Sequence, residues 1–565
     1  MRKGSCHRLL TVLLISGIAF LPVAADAQQL ATGTKGMVAS AHELASAAGA
    51  EILAAGGNAV DAAVATAFAI TVVEPNASGL GGEGYMVLSL ADGRDLAVDF
   101  RSWSPGHVTI ATDASAMTGP ESTCIPGLVA GLTLALQEYG TKTLDEVMAP
   151  AIRLAREGFA LDAVLFDRLT ELYGYTDSGD DPVIGPIYFP DGLIPEIGSL
   201  VVNEDLAYAL ELIAERGAYA FYRGEIASAI VEAMGGWFTG ADLQRYQAVV
   251  RDAIVSEYRG YTVIGTPPNV AGIVVALNIL EHFDLSAYGG WDDPGAIHLM
   301  AEALLLASAD RGPYIGDPDL YHVPLAGLLS KEYAAERAAL IDPGAAMVPK
   351  REVPAGDPYP FMAAPVGATD GAGSPSTTQI SVLDEAGNAV SITQTISSFW
   401  GSQDMIPGYG FFMNNELHNF NSYNPDRPND VNVVGPYKRP RTVIAPTIVR
   451  DSAGQVFLVL GTPGAGRIPS TVVETIVNVI DFGMSLEDAI KAPKFTSRVA
   501  YTQLHIEGGY SAETMAALEA LGHTLDVTHG ELDYYFGGIN AIIVEDGLMT
   551  GVGSFRRAGG AAGPR

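Results

Sequence analysis

Cysteine is nearly absent: the 565 residues hold two, Cys6 and Cys124. Cys6 lies in an N-terminal segment that reads as removable, so the mature chain keeps Cys124 alone. No intramolecular disulfide is then possible, and stability must come from the core. Charge is scarce as well, at 17% of residues against 48% hydrophobic ones, where about a quarter is usual in soluble chains. Such a composition suits a large, deeply packed globule, and a chain of this length can bury one. Positive charge is the scarcer sign, with 32 Lys and Arg against 65 Asp and Glu and a net charge of −33. Nucleic acid is therefore a poor partner. The sequence also lacks a G-x-S-x-G elbow, an H-E-x-x-H or paired-cysteine zinc pattern, a Walker loop, internal repeats and low-complexity linkers. These absences argue against serine-elbow and zinc hydrolases, and neither a metal nor a cofactor is implied.

Long apolar runs are confined to the start. Arg2, Lys3 and Arg8 form a basic beginning, Leu9 to Val23 is apolar, and Ala25-Asp26-Ala27 offers an A-x-A cleavage site. The apolar stretch of about fifteen residues falls short of the ~20 that a spanning helix needs. Residues 1–27 are thus expected to be a signal peptide, with a periplasmic or secreted mature chain that is not held in a membrane.

What is present begins with Ser374-Pro375-Ser376-Thr377-Thr378-Gln379-Ile380-Ser381-Val382. The chain alternates through Gln379, Ser381 and Leu383, turns at Asp384 to Asn388, and alternates again from Ala389 to Thr395, which reads as a hairpin with Thr377 at its leading edge. A threonine freed as a new N-terminus would carry both a hydroxyl nucleophile and its own α-amine as general base. In isolation it fits an ordinary strand threonine better, as most threonines in such a run are.

Elsewhere, Ser40 and Glu43 form a capping-box pattern before the apolar run Leu44 to Ala55, which Gly56-Gly57 ends. Asn58 is expected to cap a second helix with Asp61 in its first turn, apolar almost all round and so buried between layers. Gly79-Leu80-Gly81-Gly82-Glu83-Gly84 matches G-x-G-x-x-G, but it leads into the strand-like run Tyr85 to Leu90 instead of opening a helix. Turn glycines explain it better than a dinucleotide. Leu128 to Leu340 alternates helical stretches, Leu206 to Ala214 and Gly224 to Met234 among them, with turns; residues 177–191 read as an exposed loop. Beyond the hairpin, Val443 to Val449, Gln455 to Leu460 and Ala541 to Val544 read as strands, with a helix from Pro469 to Phe482.

Taken with Gly56 to Ala65, Gly81 to Met86, Asp99-Phe100-Arg101, Asn414-Asn415, Pro446 to Val449 and Gly461-Thr462-Pro463-Gly464-Ala465-Gly466-Arg467, in that order, the hairpin resembles the γ-glutamyltranspeptidase family from about Gly36 onward. The resemblance implies an α/β fold, a four-layer αββα sandwich of the N-terminal nucleophile hydrolase type. It also implies cleavage between Ser376 and Thr377 into a large subunit, 28–376, and a small subunit, 377–565, that stay together as one folded heterodimer. Thr377 would attack its own preceding carbonyl, then a substrate amide, giving an acyl-enzyme that water or an acceptor amine resolves.

By the same resemblance, Thr395 orients the Thr377 hydroxyl, and the amides of Gly464 and Ala465 hold the oxyanion. Ala465 replaces a usual glycine and keeps its donor provided the backbone there does not demand a positive φ. Arg101 would clamp the substrate α-carboxylate, and Glu416 would hold the α-amino group. The match weakens around them: Asn419 stands where Asp is usual, Ser397 where Asn is usual, and Thr442-Val443 where a Ser-Ser pair helps bind the carboxylate. A lost charged hydrogen bond is worth about 1.5 to 3 kcal/mol. The substrate is thus a γ-glutamyl amide such as glutathione or, alternatively, a glutaryl-like or other acyl amide lacking the α-amine. A processing-dead binding paralogue is the third reading. Asn421 to Val434 corresponds to a lid loop in some members, and His418 reads as structural.

Overall fold

Asn58 opens the helix Ala59–Val73 with a reciprocal cap. Its side chain accepts from the amides of Val60 and Asp61, and Asp61 accepts from the Asn58 amide at 2.7 Å. Every residue of this helix is buried, as its all-round apolar pattern requires. The preceding helix, Glu43–Ala54, runs into Gly56 at φ 79°. Its start differs from expectation, because Ser40 is the last residue of the strand Gly36–Ser40, paired with both Ile380 and Gly560. Ladder pairing on both sides outweighs the local capping pattern, and His42 takes the cap, its Nδ1 accepting from the Leu44 amide at 3.1 Å.

The computed structural model describes residues 29–175, 179–361 and 376–564. The expected leader 1–27, Asp177, Ser178, Ser374 and Pro375 lie outside the described residues. Two seven-stranded antiparallel sheets stack face to face. One runs Gly560–Ala562, Gly36–Ser40, Thr378–Asp384, Ala389–Thr395, Glu83–Ser89, Asp95–Phe100, Val249–Asp252. The other runs Leu30–Gly33, Leu548–Val552, Ala541–Glu545, Val456–Leu460, Thr447–Arg450, Tyr261–Gly265, Ile254–Tyr258.

Alternation assigns the faces. Met37, Ala39, Leu383 and Ala389 meet Ile448, Val459 and Ile542 between the sheets. Val38, Ile380, Val382 and Ile392 turn outward to Ala59–Val73 and its neighbours, while Val449, Leu458 and Ile543 turn the other way to Ala271–Leu280, Pro294–Tyr314 and Ile468–Ile480. The architecture is the expected αββα sandwich.

Two local expectations change. The strand expected from Val443 begins at Thr447, after Pro446, which has no N–H to give a ladder; the irregular stretch before it becomes cavity wall. In the segment read as an exposed loop, Gly185–Tyr188 forms a short helix and Ile184, Tyr188 and Phe189 are buried. Tyr188 packs on Trp400 and Phe412, and Phe189 on Tyr173.

Candidate active site

The hairpin pairs Thr378 with Gln394 and Gln379 with Thr393. Extending that register by one residue sets Thr377 opposite Thr395, with both side chains on the face between the sheets. Lower on this face the side chains are apolar, whereas towards Thr377 they turn polar. Gln379 accepts from the Thr393 hydroxyl at 2.6 Å, Ser391 donates to the Leu460 carbonyl and Ser381 to the Asn540 carbonyl. Each of these buried polar groups is therefore partnered where Thr377 emerges.

Thr377 Oγ1 lies against the Ser376 carbonyl oxygen and 3.3 Å from Thr395 Oγ1. The Thr395 hydroxyl donates to the same carbonyl at 2.9 Å and accepts the Ser397 amide at 2.8 Å. The Ser376 amide in turn donates to the Ser397 carbonyl. The Thr377 hydroxyl and the Ser376 carbonyl are thus side by side, and the carbonyl oxygen also has the Thr395 hydroxyl as a donor. Both threonines are almost wholly buried and border a cavity.

The glycines of the G-x-G-x-x-G stretch make room for this. A Cβ on Gly82 would stand 2.5 Å from the Thr395 carbonyl, and one on Gly81 2.3 Å from the Phe412 carbonyl. Asn414 closes the same floor, donating to the carbonyls of Gly81 and Cys124, and Asn415 accepts the Ser398 amide. A close-packing role replaces the nucleotide loop that the pattern mimics.

Ser376, Thr377, Thr395, Ser397, Glu416 and Asn419 line the cavity together with Arg311, Arg441, Thr442, Val443, Ile444, Ala465 and Ile468. Ser397 adopts φ 79°. Its hydroxyl accepts from Asn419 Nδ2 at 3.0 Å, and the same amide donates to Glu416 Oε2 at 2.8 Å. Asn432, within the expected lid segment, holds this group from behind by donating to the Asn419 carbonyl and accepting the Arg441 amide. The later part of that segment, Asp430 to Val434, is packed into the protein, and residues 425–429 are exposed.

Gly464 at φ 127° and Ala465 at φ 49° carry the chain past the cavity. The proviso placed on Ala465 is therefore not met: the backbone is left-handed there and a Cβ is disfavoured, but the alanine adopts that conformation all the same and its N–H remains in the loop. Gly537 seats the loop from below, where a Cβ would come within 2.1 Å of the Pro463 carbonyl.

Arg101 is not on the cavity wall. It is buried, with Nε 2.6 Å from Glu83 and Nη2 3.2 Å from both Glu416 and the Pro440 carbonyl. Burial pushes the Glu83 carboxyl well up despite Arg101. Burial also works against the Arg101 charge, but Glu83 and Glu416 more than restore it. Arg101 therefore reaches the cavity through Glu416. The cations that do line it, Arg311 and Arg441, escaped sequence reasoning; Arg311 Nη2 donates to the Thr442 carbonyl at 2.6 Å and Arg441 Nη1 to the Gly312 carbonyl at 2.8 Å. Their only sequence signal is a guanidinium in otherwise apolar or proline-bounded surroundings. Arg557, whose Nη1 donates to the Thr377 carbonyl at 2.9 Å, gave no signal at all. Cys124 is buried, and burial pushes its thiol well up, the opposite of the lowered, accessible thiol that marks a reactive cysteine.

The chain that builds this polar notch between two antiparallel sheets is similar to known proteins over nearly its whole length. The sequence model of gamma-glutamyltranspeptidase matches residues 45–564. The chain is 39% identical over 510 residues to the glutathione hydrolase proenzyme of Escherichia coli (strain K12), covering 86% of this chain and 85% of that one. It is 37% identical over 551 residues to the acylase ACY 1 proenzyme of Pseudomonas sp. (strain V22), covering 94% and 93%. Among solved structures, cephalosporin acylase from Bacillus halodurans superposes with a TM-score of 0.83 at 29% identity, over 98% of this chain and 100% of that chain. Sequence and fold agree across the full span of the site, and the chain belongs to the γ-glutamyltranspeptidase family.

Proposed function

We propose that the chain cuts itself between Ser376 and Thr377 and then hydrolyses or transfers γ-glutamyl groups from amides such as glutathione, through an ester on Thr377. The observation that carries this reading is Thr377 Oγ1 set against the Ser376 carbonyl while the Thr395 hydroxyl donates to that oxygen. In the first step Oγ1 bonds to the Ser376 carbonyl carbon, the Ser376–Thr377 peptide bond breaks, and the released amine takes a proton. Water then splits the ester, leaving a Ser376 carboxylate and a free Thr377.

In turnover the α-amine takes the hydroxyl proton as Oγ1 attacks the substrate carbonyl and hands it to the leaving amine. The amides of Gly464 and Ala465 serve the oxyanion, and Glu416, held by Asn419 and Arg101, faces the substrate ammonium. Water or an acceptor amine releases the acyl group. The basic, apolar, A-x-A-ended leader supports a periplasmic or secreted location; no described helix is long and apolar enough to cross a membrane.

Intact-mass analysis with N-terminal sequencing tests the reading. Wild type should give two chains, one starting at Thr377, and Thr377→Ala a single chain without turnover; an uncut wild-type chain would favour a binding paralogue. Fully cut enzyme that releases no glutamate from a γ-glutamyl anilide would refute the γ-glutamyl assignment. A second reading, an acylase for glutaryl-like amides, is favoured by Val443, Ile444 and Ile468 on the cavity wall and by the neutral Asn419. Faster turnover of a glutaryl than a γ-glutamyl anilide would select it.

A further inference from the structure

Behind Thr377, on the side away from the cavity lining, sits a buried ion pair that the chemistry above does not use. Arg557 Nη1 donates to the Thr377 carbonyl at 2.9 Å and lies 3.8 Å from Glu74 Oε1. The guanidinium stacks on Tyr534, its carbon 3.8 Å from the ring centroid. Its Nε and Nη2 have no hydrogen-bond partner among the described residues. Glu74 caps the C-terminal end of Ala59–Val73, and its Oε2 is likewise without a partner. A buried cation that leaves two of its nitrogens unpaired, yet reaches one backbone oxygen of the nucleophile, is costly unless that contact matters.

The contacted carbonyl belongs to the Thr377–Thr378 peptide, downstream of the scissile bond, so the contact survives cleavage. The α-amine that cleavage creates is two bonds from that carbonyl carbon, which puts the guanidinium on the order of 5 Å from the amine nitrogen. A fixed positive charge at that range disfavours the ammonium form.

We propose that Arg557 is a positioning residue for the nucleophile: it anchors the Thr377 carbonyl and keeps the neighbouring α-amine neutral, ready to accept the hydroxyl proton, while Glu74 moderates that field. The inference rests on the reading of Thr377 as an N-terminal nucleophile. Burial pushes the Glu74 carboxyl up to about 7 against the pull of Arg557, so its moderation grows as the pH rises through neutrality. Other charged or titratable groups around the pair are His42 and Asp162 beside Glu74, and Arg168, Arg467 and Tyr534 beside Arg557. Glu416, Arg311 and Arg441 face Thr377 from the cavity. All of these remain in place in the variants below.

The experiment is the pH profile of kcat/KM for wild type, Arg557→Gln, Arg557→Lys and Glu74→Gln, with N-terminal sequencing of each. The acid limb reports the amine. It should move up by about one pH unit in Arg557→Gln, stay within a few tenths in Arg557→Lys, and move down by about half a unit in Glu74→Gln. A lower rate with an unmoved limb in Arg557→Gln would make Arg557 merely structural and overturn the proposal. If Arg557→Gln remains uncut, the Glu74→Gln limb decides, and no downward shift there overturns it. A wild-type chain lacking a Thr377 N-terminus would instead refute the nucleophile assignment itself, so the two failures are distinguishable.

Discussion

At the scale of single residues, Ala465 and Glu416 make the sharpest statements. Ala465 holds φ 49° at the cavity wall, a conformation that costs an alanine about 1 to 2 kcal/mol and a glycine little. Part of that relief is offset by the greater freedom of glycine in the unfolded chain. Ala465→Gly should therefore stabilise the protein by about 0.5 to 1 kcal/mol in urea unfolding, with kcat within about twofold of wild type because the N–H donor is retained. A tenfold loss would show that the methyl group itself positions substrate.

The departure at 419 gains a physical explanation. Asn419 Nδ2 donates to Glu416 Oε2 at 2.8 Å, and an aspartate there would press a second carboxylate against the first, which cannot stay ionised as a pair at that distance. On the proposed γ-glutamyl reading, Glu416 would supply the negative charge for an ammonium, with Asn419 as its neutral support. Glu416→Gln should lower kcat/KM for a γ-glutamyl anilide by about ten- to a hundred-fold and leave a glutaryl anilide within about threefold. Equal losses on both would deny Glu416 any contact with the ammonium.

At the scale of elements, the clearest dependence is on Asp61, which does more than its place in a helix cap suggests. Besides the Asn58 amide it accepts from the amides of Thr141 and Lys142 and from the Thr141 hydroxyl at 2.6 Å. It so ties the start of the buried helix to the turn between Leu128–Tyr139 and Leu144–Glu157. Asp61→Ala leaves several part-buried donors without their acceptor and should cost about 1 to 3 kcal/mol, measured as a lower urea midpoint; a loss under about 0.5 kcal/mol would show that water replaces it freely. The cap, the hairpin and the strands with strict alternation were legible in the sequence, because each is fixed by residues within a few positions of one another. His42 in place of Ser40, the late start of the strand at Thr447 and the buried turn around Tyr188 were not, since each is decided by a partner far along the chain. The site divides in the same way. Thr377, Thr395 and the loop at Gly464 were singled out through the family resemblance that their surrounding motifs carry, whereas Arg311, Arg441 and Arg557 arrive from remote segments. Arg101 keeps its place in the motif but is sealed between Glu83 and Glu416, a relation that no local pattern encodes.

At the scale of the whole molecule, the consequence of cutting after Ser376 follows from strand order. In the first sheet, the small-subunit strands Thr378–Asp384 and Ala389–Thr395 lie between the large-subunit strands Gly36–Ser40 and Glu83–Ser89, and the large-subunit strand Gly36–Ser40 lies between two small-subunit ones. In the second sheet, Leu548–Val552 through Thr447–Arg450 are flanked by Leu30–Gly33 and Tyr261–Gly265. Neither piece therefore holds a complete sheet, and the core between the sheets draws Met37, Val87 and Ile264 from one piece and Leu383, Ile448 and Ile542 from the other. Separating the pieces would open backbone ladders in both sheets and expose that core at once, which amounts to unfolding. The cut protein should elute as a single species in native gel filtration at the mass of the whole mature chain, resolve into two bands only in denaturant, and regain activity only when both pieces are refolded together. A large subunit that is folded and monomeric alone would contradict this interleaving. The strand that follows Thr377 pairs with Gly36–Ser40 of the large piece on one side and with Ala389–Thr395 of the small piece on the other, so a cut after Ser376 would free the amine without freeing the strand, and the geometry that favours the cut would be kept for turnover.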